Sequence, residues 1–143
     1  MIIVAQSAFY KFNHFILGLG KGEHQLHAVG HTVKVYLTNN TPDADLDVNK
    51  ADLAGITEEN GYAPADIQND VSEAEGVLSM TGVDYEWTFS GAVGPFRYAV
   101  LYNDDHASDA LIGYYDYGSE LTFGNGEKFK VDFAATIMTI TPT

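Results

Sequence analysis

The stretch Phe96 to Phe133 (FRYAVLYNDDHASDALIGYYDYGSELTFGNGEKFKVDF) constrains the fold of this chain most tightly. Phe96–Tyr102 is rich in aromatic and β-branched residues, and the polar segment Asn103–Ala110 after it is turn-prone. Leu111–Tyr117 reads as a second strand, and Gly118–Gly126 carries three glycines and an Asn-Gly pair. Phe129–Phe133 then alternates strictly, with Phe129, Val131 and Phe133 on one face and Lys130 and Asp132 on the other. Period-two alternation between Gly, Asn and Asp clusters predicts an antiparallel meander of three strands.

The rest of the chain extends this reading. Met1–Gln6 (MIIVAQ) is apolar and extended, suited to an edge strand or to an arm that lies on another subunit. Ala8–Leu19 places Phe9, Phe12, Phe15, Ile16 and Leu19 at helical spacing, with Ser7 as N-cap and Gly18 and Gly20 as stop signals. Thr32–Thr38 and Tyr85–Ser90 alternate as strands, and Thr136–Thr141 reads as a last strand before Pro142. Asn39–Asp66 is a long polar segment with a brief helical turn expected over Lys50–Ile56. Ile67, Val71, Val77, Leu78 and Met80 form a less regular apolar segment. About seven or eight short strands with regular turn signals and one short helix predict a mainly β chain. The expected form is an antiparallel β-sandwich or jelly-roll, one domain over residues 1–143, with residues 1–6 as a possible subunit-exchanging arm.

Composition narrows the functional classes. The chain has no cysteine, which removes disulfides, thiolate catalysis and Cys-based zinc sites. No apolar run approaches the roughly 20 residues of a membrane span. Ile2–Ala5 is too short for the apolar core of a signal peptide, so synthesis and folding in a cytoplasm are expected. The net charge of −13 is uneven. Residues 1–38 hold Lys11, Lys21 and Lys34 against Glu23, a net +2, and the remainder holds four basic and nineteen acidic side chains, a net −15. That acidity argues against nucleic acid and anionic membranes as partners. The asymmetry suggests a partner-facing N-terminal part.

Two patterns imitate metal sites. His24, His27 and His31 are spaced like ligands, but glycines interrupt the stretch and no helix puts His27 and His31 on one face. Asp43, Asp45, Asp47, Asn49 and Asp52 imitate a calcium loop. Counted from Asp43, the sixth position is Val48 where a Gly is needed, and the twelfth is Ala54 where a Glu is needed. No metal or cofactor is expected from either, and no nucleophile elbow or isolated carboxylate pair suggests an enzyme.

Several pieces together resemble a known family. They are FYKFNHFILGL at Phe9–Leu19, GKGEH at Gly20–His24, TVKVYLT and NNTPD at Thr32–Asp43, and ENGY at Glu59–Tyr62. FRYAVLYND at Phe96–Asp104, LIGYYDYGS at Leu111–Ser119 and the closing FKVDF and IMTIT complete the set. The chain resembles the capsid decoration, or cement, proteins of tailed bacteriophages over nearly its whole length. The resemblance implies a jelly-roll-like, non-enzymatic protein that sits as trimers on the outer capsid surface and clamps neighbouring major capsid proteins. Where such proteins tend to be rich in Gly and Thr after the GY element, Asp66–Gly76 here is acidic.

Three site expectations follow. The interface is assigned to Ile2, Ile3, Val4, Phe9, Lys11, Lys21 and Lys34, with Met1–Phe9 crossing to a neighbour. The basic residues are expected nearer the capsid than the Asp43–Asp52 loop. In the meander, Tyr102 opposite Leu111 and Tyr117 opposite Phe129 would set Asp116 between Arg97 and Lys130 as a structural ion cluster. The alternative functions are a carbohydrate-binding module, with Tyr114, Tyr115, Tyr117 and Trp87 as a glycan platform, and a neck or tail component.

Overall fold

The computed structural model describes residues 6–141. The elements in chain order are β1 (Tyr10–Lys11), α1 (Asn13–Gly20), β2 (Val33–Thr38), a 3-10 turn (Lys50–Asp52), β3 (Ala65–Asp66), β4 (Asp70–Ala74) and β5 (Val77–Thr81). They continue with β6 (Tyr85–Thr88), β7 (Val93–Asn103), β8 (Leu111–Phe123), β9 (Lys128–Val131) and β10 (Met138–Ile140). The mainly antiparallel β class with a single α-helix is therefore the one expected.

The aromatic runs of β7 and β8 form the longest hairpin and the centre of a five-stranded sheet of order β1-β8-β7-β2-β3. β2 lies antiparallel to β7, with Val35 opposite Leu101 and Leu37 opposite Ala99. β5 is flanked by β4 and β10 in a second sheet, and β6 pairs with β9 in a two-stranded ribbon. The ribbon packs sandwich-like on the large sheet. The Phe129 ring lies 5.0 Å from Phe96, 5.5 Å from Phe123 and 5.2 Å from Tyr117. One continuous apolar core joins all three sheets and the inner side of α1.

The partner of β9 corrects the meander. Trp87, not Tyr117, stands opposite Phe129. The strict alternation of Phe129–Phe133 is real, but alternation fixes a face and not a neighbour. β6 carries the same alternation, and ring-to-ring packing of Trp87 on Phe129 joins the two.

The long segment between β2 and β3 is organised by what it covers. β3 is only two residues long, so most of the outer edge of β2 lacks a strand. Ile56 N–H donates to Leu37 O at 2.9 Å, and Leu37 N–H donates to the Tyr62 hydroxyl at 2.8 Å. The Tyr36 hydroxyl donates to Leu53 O at 2.6 Å. The segment thus satisfies an edge that would otherwise be open to pairing.

Candidate docking face and the histidine cluster beneath it

α1 begins five residues later than the apolar spacing suggests. Ser7 is not its N-cap; Phe12 is, without a side-chain cap bond. Ser7 is engaged by β8 instead. Its N–H donates to Asp116 O at 2.8 Å, and its hydroxyl accepts from Asp116 N–H at 2.9 Å. Those bonds start an edge strand that runs through Tyr10 opposite Tyr114 and Lys11 opposite Gly113. Helical spacing over Phe9–Phe12 was coincidental, because β8 supplies strand partners for this segment.

Once started, α1 is two-sided. Phe12 and Phe15 are buried, whereas Ile16 and Leu17 are 51% and 54% exposed. Asn13, one turn before them on the outer face, donates its N–H to Ala44 O at 2.9 Å and touches the Asp45 carboxylate with its side chain. Exposed Leu46 is therefore held beside the start of the helix, and exposed Tyr10 precedes it. Large apolar side chains gathered on one outer face mark an interaction surface more than scattered single ones do.

The expected interface residues separate. Ile2, Ile3 and Val4 lie outside the described residues. The Phe9 ring lies 5.1 Å from Tyr115 of the same chain and covers Gly113. Gly113, with no side chain, leaves room for that ring against the sheet. Lys11 lies in β1. Lys21, beyond the helix, pairs with Glu23 at 2.8 Å. Lys34 in β2 pairs with Asp104 at 3.0 Å. The basic residues are distributed and partly neutralised, and the acidic 43–47 segment touches the same helix that Lys11 and Lys21 flank.

The ion cluster forms in part. Arg97 and Asp116 pair through Nε and Oδ1 at 2.8 Å. Lys130 is not a member, because β9 lies in the ribbon. It stands opposite Glu86, with its Nζ 3.8 Å from Asp84.

A polar cluster that the sequence did not reveal lies under α1. Asn103, at the end of β7, is fully buried. Its Oδ1 accepts the Asp105 N–H at 3.0 Å, which fixes the amide orientation. Its Nδ2 is then the donor, to His24 Nδ1 at 3.1 Å and His31 Nδ1 at 2.9 Å. Both imidazoles must therefore carry their neutral-state proton on Nε2. His24 lies 4.9 Å from Phe15, ring to ring, and stacks with His106 at 6.0 Å. Burial is the main cause that pushes the His24 pKa down to about 4. Asn103 sat in a turn-prone run, and nothing in sequence separates a buried asparagine from a turn asparagine.

The apparent metal patterns have other uses. Asp43 Oδ1 accepts backbone N–H groups of Asp45 and Leu46 at 2.9 and 3.1 Å. Asp52 accepts those of Asn49 and Val48, which hold its carboxyl below the usual range. Among the described residues no group of three or more His, Asp or Glu side chains is arranged to hold a metal ion. Trp87, Tyr115 and Tyr117 are core residues, and Tyr114 is caged by Tyr10, Phe12 and Tyr98, so the suggested glycan platform is not presented. Among the described residues no helix is long and apolar enough to cross a membrane.

No family model matches this chain, and neither a curated protein nor a solved structure matches it.

Proposed function

We propose that this protein is a non-enzymatic virion component that decorates a tailed-phage capsid. In this reading it bridges major capsid proteins as a homotrimer and seats the outer face of α1 on the shell. The observation that carries the reading is that face: Ile16 and Leu17 are exposed on α1, with exposed Tyr10 before it and exposed Leu46 beside its start. The family resemblance of the FYKFNHFILGL segment, a jelly-roll-like interpretation of the packed sheets and the basic excess of residues 1–38 support it. The acidity of the remainder disfavours nucleic acid and anionic membranes as the partner.

The test adds purified protein to undecorated phage capsids and counts bound copies. Saturation at a fixed copy number is expected, and Ile16→Asp with Leu17→Asp should abolish binding while leaving the thermal midpoint unchanged. Absence of saturable binding, or full occupancy by the double variant, overturns the reading.

A further inference from the structure

We propose that Asn103 and the two imidazoles it holds, His24 and His31, form an acid-released latch that fastens the C-terminal end of α1 and the segment after it to the large sheet.

The argument is one of donors and acceptors. Both Nδ2 hydrogens of Asn103 are spent on imidazole Nδ1 atoms. His31 Nδ1 also accepts the Gln25 N–H at 3.2 Å. A protonated imidazole carries hydrogen on both nitrogens and accepts nothing. Protonation therefore turns each bond to Asn103 into a clash of two N–H groups at a part-buried place, and removes the acceptor of Gln25 as well. The Asn103 amide cannot rotate to offer its oxygen without releasing Asp105.

The His24 ring has little room to adjust. Gly18 of α1 packs on His24 so closely that a Cβ there would stand 2.8 Å from Nε2. His24 is also in contact with Phe15, so its ring lies between the helix and Asn103 of the sheet.

Around His24 the charged surroundings do not rescue the protonated form. Around His24 these are His14 from α1, Glu23 from the turn after it, His31 and, from the β7–β8 loop, His106. Glu23 favours protonation, but it is shared with Lys21 at 2.8 Å and His106 at 3.6 Å. The three histidines oppose protonation, and burial opposes it most. Around His31, Asp66 and Asp70 line the adjoining open cleft. Asp105 is engaged by the Thr32 N–H at 2.6 Å. With the His24 pKa lowered from 6.5 to about 4, the latch is complete above its ordinary pKa and opens as pH falls through that window.

Only part of the segment depends on the latch. Asn69 holds Leu26 O at 2.9 Å and His31 O at 3.0 Å, and neither bond titrates. His31 N–H also donates to Gln25 O at 2.6 Å, so residues 26–31 and the Gln25 carbonyl stay in place while residues 18–24 and the Gln25 N–H loosen. If α1 is the docking face, acid would weaken docking, and that consequence alone rests on the proposed function.

The experiment is amide hydrogen exchange by NMR on the isolated protein from about pH 7 to pH 4, corrected for intrinsic exchange. Protection at Lys21, Glu23 and Gln25 should fall about tenfold or more, while Val33 and the β7–β8 amides keep theirs. Imidazole nitrogen shifts should report Nε2–H tautomers for His24 and His31 near neutrality, with the His24 titration tracking the loss. His24→Asn with His31→Asn, which retains an acceptor near each Nδ1 position, should keep protection across the range. Protection unchanged to about pH 4, Nδ1–H tautomers near neutrality, or an acid-labile double variant overturns the latch. Should the double variant fail to fold, the wild-type tautomers and the coincidence of the two titrations still decide. No capsid is involved, so failed capsid binding leaves the latch standing.

Discussion

Arg97 and Asp116 meet at two points, Nε to Oδ1 at 2.8 Å and Nη2 to Oδ2 at 3.1 Å, although they are not directly opposite each other. Tyr98 is the residue opposite Asp116, because the β7–β8 register shifts between Leu101 and Tyr102 and again between Phe96 and Tyr98. The bulge swings Arg97 back over the Tyr98 ring and onto the carboxylate. Asp116 also accepts the Gly118 N–H at 2.7 Å.

Removing either partner should cost little, because both side chains are partly exposed. A double-mutant cycle of Arg97→Met and Asp116→Asn should give a coupling of about 0.2–1 kcal/mol by thermal unfolding. The hydrogen bond from Arg97 is the largest cause that lowers the Asp116 pKa below 3.8. A depressed carboxyl pKa stabilises the fold above its unfolded value and loses that contribution as pH falls through the folded value. The coupling should therefore be full near neutrality and vanish in strong acid. Strictly additive losses near neutrality would show that the pair does not interact.

Gly113→Ala tests how the N-terminal segment is docked. A Cβ at this position would run into the Phe9 ring and stand 2.5 Å from Tyr10 O. Relief requires β1 to move off β8, with an expected loss of about 1–3 kcal/mol. Proteolysis should then cut within residues 6–12 while β7 and β8 stay intact. An unchanged thermal midpoint and cleavage pattern would mean that Phe9 is not seated on Gly113.

The sequence made the strands legible wherever aromatic and β-branched residues alternate; in β6 and β9 the period also reports which face is buried, whereas β2 is buried on both faces. The sequence did not make pairing legible. β9 chose β6 because Trp87 and Phe129 pack on each other, a fact of tertiary contact rather than of local pattern. Phe9–Phe12 misled for the same reason, since β8 turned a helical spacing into an edge strand. For the candidate site, the exposure of Ile16 and Leu17 followed from the periodicity only after the true start of α1 was fixed. Asn103 left no signal at all, because its burial depends on histidines some 70 to 80 residues earlier in the chain.

Tyr62→Phe should expose the cost of completing the β2 edge with a side chain. The Tyr62 hydroxyl accepts the buried Leu37 N–H at 2.8 Å. Phenylalanine keeps the ring but leaves that donor unpaired, an expected loss of about 1–3 kcal/mol in urea unfolding. Exchange of the Leu37 amide should rise selectively, with Ile56 as the control. Wild-type stability in the variant would mean that water replaces the hydroxyl.

The β4–β5 hairpin offers a stabilising change. Ala74 pairs with Val77, so Glu75 and Gly76 form a two-residue turn, and both have positive φ, 52° and 81°. Twin left-handed residues match the twist of the flanking strands, which is why Asn-Gly is favoured there. Glu75 pays the steric penalty of a branched-off side chain in that region without the local hydrogen bonding that helps asparagine. Its side chain is exposed at the hairpin tip, so little packing is lost on replacement. Glu75→Asn should therefore stabilise the protein by about 0.5 kcal/mol, read as a rise in the urea midpoint at constant slope. Glu75→Val should do the opposite, because a β-branched residue tolerates positive φ least. If both variants shift the midpoint in the same direction, the turn is not held in the left-handed conformation on which the argument depends.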